Sequence, residues 1–273
     1  MEPRGSLFVP CSCRLFCFHE IRGTHIYMEQ KKLQPEYKLH RRLQKQLGEA
    51  IKDFSLIETG DHILIGLSGG KDSLALLNLL GERMTRAGGR FKVEAIHVRM
   101  RNIHYKTDTS YLQQQCDRWN IPLHVVETGF EPDRNEKRTP CFLCSWNRRK
   151  TLFTIAQELG CNKIALGHHQ DDILRTALMN LIFNGTFSTM PVRISMRKFK
   201  MTIIRPLARM HEADLKTWAQ MQQYQPVDKL CPFDGVSNRT NIQQVTNAMQ
   251  QLTPEYRFNL WHALLKAGAL IEE

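Results

Sequence analysis

Residues 62–73, HILIGLSGGKDS, join a short apolar run to a glycine-rich turn, and this stretch decides the fold. The run at 62–67 has the length and apolar character of a strand that is buried on both faces of a sheet. Leucines then recur at helical spacing over residues 74–80. The sequence therefore predicts a strand, a tight turn and a helix, which together begin an α/β fold.

The same rhythm continues along the chain. A helix with a basic outer face is predicted at 37–57, before the first strand. Further strands are predicted at 92–98, 123–127 and 163–167, and further helices at 110–119, 145–159 and 171–183. This alternation predicts an α/β protein with a doubly wound parallel sheet. Residues 186–209 contain six Lys or Arg and no acid, which predicts a hairpin or an extended arm, and short helices are expected at 211–268.

Composition limits the class of protein. The 273 residues include 38 Lys and Arg against 27 Asp and Glu, and the net charge of +11 favours a polyanionic partner such as nucleic acid. No apolar run approaches the roughly 18 residues that a membrane-spanning helix needs. The eight cysteines are not distributed as a secreted disulfide framework, so a reducing cytoplasm is the expected compartment.

The turn after the first predicted strand has the chemistry of an anion site. At the carboxyl end of a parallel strand, a turn that enters a helix presents backbone N–H groups and the positive helix end. Gly69 and Gly70 permit a close approach to a ligand. Lys71 supplies a positive charge, and Ser68 and Ser73 supply hydroxyl donors. The glycine spacing fits neither a Walker A loop nor a dinucleotide fingerprint.

The motif SGGKDS at 68–73 resembles the SGGxDS loop of the N-type ATP pyrophosphatases, the PP-loop superfamily with an adenine nucleotide α-hydrolase-like fold. The resemblance implies cleavage of ATP between its α and β phosphates and transfer of AMP to a carbonyl oxygen. A second block, GHHQDD at 167–172, resembles the family's GHxxDD segment and implies Mg²⁺ near Asp72, Asp171 and Asp172. Alternatively, Asp171 and Asp172 are ordinary acidic residues at a helix N-terminus.

The resemblance also implies two overlapping sets of site residues. The implied catalytic residues are Lys71, Asp72, Arg148 and Asp171. The implied nucleotide-binding residues are Ser68, Gly69, Gly70, Lys71, Asp72, Ser73, His97, Gly167 and Asp172. Arg148 stands where the family has a basic residue near the reacting base, and a solvated helix end is the alternative interpretation of this residue.

The cysteine pattern selects one branch of that superfamily. Residues 141–149, CFLCSWNRR, resemble the C-x-x-C-x-x-x-R-R segment of the tRNA 2-thiocytidine synthetases of the TtcA type, and Cys231 falls where they have a third cysteine. The resemblance implies a 4Fe-4S cluster held by Cys141, Cys144 and Cys231, with one iron open to sulfur. The alternative is a redox-active pair of Cys141 and Cys144 that carries a persulfide. Asp234 replaces a further cysteine frequent in the family, so a four-cysteine zinc site is not available.

The remaining cysteines and the domain limits complete these expectations. Cys116 and Cys161 are expected in the core, since unpaired cysteine is often buried. Residues 1–27 hold three more cysteines and are expected to be a non-native or disordered N-terminal extension, with a small metal-binding arm as the alternative. The PP-loop domain is predicted at 28–209. A C-terminal helical region that carries the third cluster cysteine is predicted at 210–273.

The implied reaction is ATP-dependent tRNA thiolation. The C2 oxygen of a cytidine, by resemblance at position 32 of the anticodon loop, is adenylated and then replaced by sulfur to give 2-thiocytidine. The implied partners are tRNA, a cysteine desulfurase as sulfur donor and a possible homodimer, with no membrane. Three alternatives stay open: 2-thiolation of a tRNA uridine, a non-thiolating adenylating tRNA ligase, and an RNA-binding module without catalysis.

Three basic stretches are predicted to form a continuous positive surface around the crevice, where they would neutralise tRNA phosphates. They are Lys31, Lys32, Lys38, Arg41, Arg42 and Lys45; Lys137, Arg138, Arg148, Arg149 and Lys150; and Arg193, Arg197, Lys198, Lys200, Arg205 and Arg209. Each stretch alone is typical of a solvated face. Three of them beside an adenylating loop favour RNA as the partner.

Overall fold

The structure is a computed structural model that describes residues 34–105, 108–131, 139–196, 199–227, 229–231 and 238–273. The predicted extension at 1–27 and Asp234 lie outside the described residues. So do six residues of the predicted basic surface: Lys31, Lys32, Lys137, Arg138, Arg197 and Lys198. Contacts divide the chain after Arg42 into two units, of which residues 43–273 form the larger one.

One large sheet organises this unit. Its strands are β1 (His62–Gly66), β2 (Lys92–Met100), β4 (Leu123–Thr128), β5 (Lys163–Ala165), β6 (Arg193–Met196), β7 (Met201–Ile204) and β9 (Ile271–Glu272). They follow one another in the order β4-β2-β1-β5-β7-β6-β9. Every neighbouring pair is parallel except β6 and β7, which are antiparallel. The predicted α/β fold with a doubly wound parallel sheet is confirmed, with one antiparallel step near its edge.

A second, two-stranded sheet pairs β3 (His104–Tyr105) with β8 (Lys229–Leu230) in antiparallel orientation. The hairpin predicted within 186–209 is present as β6 and β7. It is part of the large sheet, because β7 pairs with β5 and buries Met201 and Ile204. The extended arm, which was the other interpretation of this basic segment, is wrong.

The helices are α1 (Pro35–Asp53), α2 (Lys71–Arg86), α3 (Ser110–Asp117), α4 (Pro140–Glu158), α5 (Gln170–Asn184), α6 (Glu212–Met221), α7 (Asn238–Leu252) and α8 (Tyr256–Lys266). Helix α2 lies deep in the molecule, since all residues from Ser73 to Gly81 are buried. Helix α4 begins where Thr139 accepts the Phe142 N–H at 3.3 Å, with Pro140 at its first position. These signals start α4 directly before the cysteine pair.

The C-terminal elements pack on the helices around the sheet. Helix α6 contacts α2, α7 and α8 contact α5, and β9 pairs with β6. The domain boundary between residues 209 and 210 stays a prediction. Within the described ranges, no helix combines the length and the apolar character that crossing a membrane requires.

The strand order fixes where a ligand can bind. From β1 the sheet grows through β2 and β4 on one side and through β5 and β7 on the other. The topological switch point therefore lies between β1 and β5, and open α/β sheets bind ligands there, outside the carboxyl ends of the strands. The loops that follow these two strands contain the SGGKDS and GHHQDD motifs.

Candidate active site

A cavity of about 350 Å³ opens at the switch point. Its walls come from the loop after β1, the end of β2, β3, α4 and the loop after β5. It gathers eight of the predicted site residues: Ser68, Gly70, Asp72, Ser73, His97, Arg148, Gly167 and Asp172. Three other predicted residues, Gly69, Lys71 and Asp171, lie around it without lining it.

Two serine hydroxyls hold the glycine-rich loop in shape. Ser68 Oγ donates to Ser73 Oγ at 3.1 Å and accepts the Gly70 N–H at 3.4 Å. Ser73 Oγ in turn donates to the Gly70 carbonyl oxygen at 2.9 Å. Helix α2 starts directly after this loop, and in the described part of the chain no side-chain hydrogen bond caps it. Its first backbone N–H groups are therefore available to a phosphate in the cavity.

At two glycines, neighbouring segments of the chain pack more closely than a side chain would allow. Gly69 has a φ of +81°, and a Cβ on it would lie 2.3 Å from Cγ2 of Val227. A Cβ on Gly167 would lie 3.1 Å from backbone atoms of Asp72 and Ser73. The loop after β5 thus packs directly on the start of α2, which brings the two motifs into one site.

We expect Gly69→Ala to destabilise the protein by about 1–3 kcal/mol, because the alanine adds a left-handed backbone strain and a clash with Val227. The melting temperature measured by calorimetry should fall by several degrees. Gly70→Ala is the matched control, since its Cβ meets nothing closer than Ser68 Oγ at 3.6 Å. Equal melting temperatures for the two variants would contradict the prediction.

Lys71 is held beside the cavity by two acids. Its Nζ lies 2.9 Å from Asp72 Oδ2 and 3.6 Å from Glu212 Oε1. Glu212 begins α6 and also pairs with Arg175. Burial raises the pKa of Glu212, but the hydrogen bond and charge of Arg175 and the charge of Lys71 outweigh it, and the net pKa lies below its usual value. Glu212 is therefore a carboxylate at neutral pH that orients Lys71.

The two aspartates that begin α5 have different environments. Asp172 lines the cavity, as Asp72 does. Asp171 is buried, accepts the Glu212 N–H at 2.8 Å and pairs with Arg257. Burial raises the pKa of Asp171, but the Glu212 N–H and the charge of Arg257 outweigh it, and the net pKa is lowered. Asp171 thus ties α5 to α6 and α8, and Asp72 and Asp172 are the predicted magnesium ligands that reach the cavity.

A tyrosine holds the predicted base-contacting arginine at the cavity wall. Arg148 Nη2 donates to Tyr105 Oη at 3.3 Å, and that oxygen also accepts the Met100 N–H at 3.1 Å. The Tyr105 ring lies edge-on to His97, with 6.2 Å between the ring centroids. His97 Nδ1–H donates to the Leu67 carbonyl oxygen at 2.7 Å, since a carbonyl can only accept. Tyr105 thus contacts both His97 and Arg148, and all three line the cavity.

The predicted cluster cysteines lie on two segments near that tyrosine. Cys141 and Cys144 occupy the first turns of α4, and Arg148 follows Cys144 by one turn. Cys231 directly follows β8, which pairs with the β3 strand that contains Tyr105. Cys141 is exposed, and Cys144 and Cys231 are half-buried. No three Cys, His, Asp or Glu side chains among the described residues are grouped closely enough to hold a metal ion, so these thiols are not drawn together.

The other two described cysteines are core residues, as predicted. Cys116 and Cys161 are both buried. Burial raises the pKa of both thiols to about 12. They therefore stay protonated at neutral pH and are poor metal ligands, since the thiolate is the form that binds metal.

The basic hairpin contributes less positive surface than its sequence suggests. Arg205 is buried and donates to the Pro191 carbonyl oxygen, and burial lowers its pKa to about 10. Arg193 pairs with Glu273, and Arg209 pairs with Asp53. The prediction that Arg205 belongs to the RNA-facing surface is wrong, because the β6–β7 hairpin is part of the sheet and turns this side chain inward.

Several residues of the site were not found from the sequence. They are Tyr105, which positions Arg148; Glu212, which holds Lys71; Arg257, which neutralises Asp171; Val227, against which Gly69 packs; and His168, which lines the cavity. Only His168 had a signal, since it lies inside the GHHQDD block. The others come from segments whose local pattern carries no motif.

The sequence matches the PP-loop domain family over residues 38–229. It is 34% identical to a tRNA-cytidine(32) 2-sulfurtransferase of Paraburkholderia phymatum, over 90% of this chain and 74% of the relative. It is 37% identical to the protein of the same name from Nitrosospira multiformis, over 84% of this chain and 77% of the relative. Among solved structures, the U34-tRNA thiolase NcsA from Methanococcus maripaludis with its [4Fe-4S] cluster has a TM-score of 0.63 and 22% identity, and the match covers 82% of this chain and 77% of that one. At 22% identity, this match shows that the two proteins share a fold.

Proposed function

The chain belongs to the tRNA-cytidine(32) 2-sulfurtransferase family of PP-loop proteins, and from that premise we propose that it thiolates a tRNA cytidine at the expense of ATP. The observation that carries the proposal is the cavity, which joins a phosphate-binding loop to Arg148, one turn beyond the cysteine pair. Nucleotide, target base and sulfur can therefore meet at one point.

The reaction has two displacement steps. The C2 oxygen of the cytidine attacks the α phosphorus of ATP, a new O–P bond forms, and the bond to the β phosphate breaks with release of pyrophosphate. Sulfide then adds at C2, the C2–O bond breaks, and AMP leaves with the original oxygen while the sulfide proton passes to solvent. Atoms and charge balance without any oxidant.

The described residues suit the first step. Backbone N–H groups at the start of α2 and the charge of Lys71 bind phosphate oxygens as the leaving pyrophosphate gains charge. Mg²⁺ commonly takes one or two carboxylates plus phosphate oxygens, and Asp72 and Asp172 at the cavity fit that donor set. Arg148 is held toward the cavity by Tyr105, where it can donate to the base or to its adenylate.

Three cysteines supply the donors for the second step. Cys141 is exposed and Cys144 and Cys231 are half-buried, and soft thiolates are the donors that iron–sulfur clusters take. These three residues would hold a 4Fe-4S cluster, which would supply an iron site for the incoming sulfide. Metal binding commonly supplies the free energy that brings separated ligands together. The cluster, a cysteine desulfurase as sulfur donor and a homodimer stay parts of the proposal.

Anaerobically purified protein with ATP, sulfide and unmodified tRNA tests the proposal. We expect 2-thiocytidine in the nucleoside digest by mass spectrometry, and a matched tRNA with uridine at position 32 should yield no thiolated product. Omission of ATP should prevent the reaction. Thiouridine as the product would reassign the substrate, and the absence of any thiolated nucleoside with protein that contains iron and sulfide would overturn the proposal.

A further inference from the structure

Helix α4 has two different faces beside the active site. An α-helix has 3.6 residues per turn, which is about 100° per residue. Side chains two positions apart therefore point to nearly opposite sides of the helix. Arg148 lines the cavity, and Trp146 therefore lies on the side of α4 away from it. Phe142 shares that side, since it precedes Trp146 by four residues. Phe142 is 41% exposed and Trp146 is 43% exposed.

Two cations accompany these rings, and we name Phe142, Trp146, Arg149 and Lys150 the outer stripe of α4. Lys150 Nζ lies 5.4 Å from the centroid of the Trp146 ring. Arg149 Nε donates to the Ser145 carbonyl oxygen at 3.2 Å, which lays the guanidinium along the helix. Residues 140–157 contain three cations and no acid. Among the described residues, no carboxylate forms an ion pair with Arg149 or Lys150, so the stripe combines flat apolar surface with positive charge.

That combination selects a class of partner. Single-stranded RNA presents flat bases and phosphates in alternation, and proteins bind it by stacking bases on aromatic rings beside basic side chains. The positive charge of the stripe complements this polyanion.

We propose that the outer stripe binds unpaired RNA of the tRNA anticodon loop, with a base a few nucleotides from the target stacked on Trp146 and phosphates beside Arg149 and Lys150. The proposal rests on the proposed function, because that function names tRNA as the substrate. Helix α4 is about 10–12 Å across, so half of its circumference is roughly 16–19 Å. One base can enter the cavity on the Arg148 side while the loop passes around the helix and splays a further base onto the opposite side.

Binding of unmodified tRNA, measured by fluorescence anisotropy without ATP, tests the stacking contact. We expect Trp146→Ala to raise Kd about 10-fold, which corresponds to about 1.4 kcal/mol. Trp146→Phe keeps a ring and should stay within about twofold of the wild type. Phe258→Ala is the matched control: this ring is 62% exposed on a different helix, α8, and its loss should not change Kd.

Tryptophan emission gives a second readout that a change in folding would not imitate. Trp218 and Trp261 are buried and Trp119 is half-buried, so Trp146, at 43% exposed, is the most exposed indole among the described tryptophans. Added tRNA should quench its emission in the wild type, and the quenching should disappear in Trp146→Phe although binding persists. Lys150→Gln should lower the slope of log Kd against log salt by about 1, as one phosphate contact is lost.

The results separate this proposal from the proposed function. If Trp146→Ala binds tRNA like the wild type and tRNA leaves the emission unchanged, the stripe proposal is wrong even where the wild type makes 2-thiocytidine. A shift of Trp146→Ala to a smaller species in light scattering would assign the stripe to contact between copies and would also overturn it. An inactive wild type with the expected Kd differences would instead count against the thiolation chemistry alone.

Discussion

Replacement of Cys144 by serine is expected to reduce thiolation below detection while the affinity for ATP stays within about twofold of the wild type. The hydroxyl of serine is a much weaker ligand than a thiolate for the iron of a cluster. Cys144 lies one turn before Arg148 on α4, and it is not among the residues that line the cavity, so the nucleotide site should persist. Nucleoside mass spectrometry and calorimetric ATP titration measure these two effects, and the expected loss of iron is measured as iron and acid-labile sulfide content.

The same substitution at Cys231 should give the same result, although 87 residues separate it from Cys144. Equal loss of iron in both variants would mean that the two segments act as one ligand set. Cys161→Ala is the control, because this thiol is buried in the core cluster and its raised pKa keeps it protonated. A Cys231→Ser protein with full iron content and full thiolation would remove Cys231 from the site.

Replacement of Lys71 by alanine is expected to lower ATP-dependent turnover about 10²–10³-fold, the loss that follows removal of one preorganised charge from a developing anion. Lys71 lies at the start of α2 between Asp72 and Glu212, and its loss leaves the Asp72 carboxylate without this cation, whereas Glu212 keeps its pair with Arg175. The effect should therefore appear in both kcat and KM for ATP. Pyrophosphate release measured with unmodified tRNA reports it.

Lys92→Ala is the matched control for Lys71→Ala. Lys92 is an exposed lysine at the start of β2, whereas the cavity lies at the carboxyl ends of the strands. Surface substitutions of this kind change stability by no more than about 0.5 kcal/mol, so neither stability nor pyrophosphate release should change measurably. Equal turnover of Lys71→Ala and Lys92→Ala would show that backbone groups and Mg²⁺ bind the triphosphate without help from this side chain.

Local patterns were sufficient for most of the fold. The apolar run at 62–67 predicted a buried strand, and Ile63, Leu64 and Ile65 are fully buried in β1. The basic segment at 186–209 had two interpretations, because alternating polar and apolar residues suit a free arm as well as a hairpin. Pairing of β7 with β5 decided between them, and that pairing joins residues about 40 positions apart.

Sequence motifs were also sufficient for the phosphate-binding half of the site. Ser68, Gly70, Asp72 and Ser73 line the cavity because a strand, a turn and a helix in immediate succession leave little choice of geometry. Asp171 shows the limit of that reasoning. The motif places it beside Asp172, which lines the cavity. The carboxylate of Asp171 instead binds Arg257 and the backbone N–H of Glu212 and does not line the cavity.

The sequence by itself therefore determined the chemistry of this protein: a loop for phosphate, carboxylates for a cation, and thiols in a spacing typical of sulfur transfer. Tertiary structure alone decided which of these groups face the same cavity. It turned Arg205 inward, placed Glu212 on Lys71 and used Tyr105 to hold Arg148. The physical reason is range, because motifs record neighbours along the chain, whereas packing between distant segments sets the direction and the partner of each side chain.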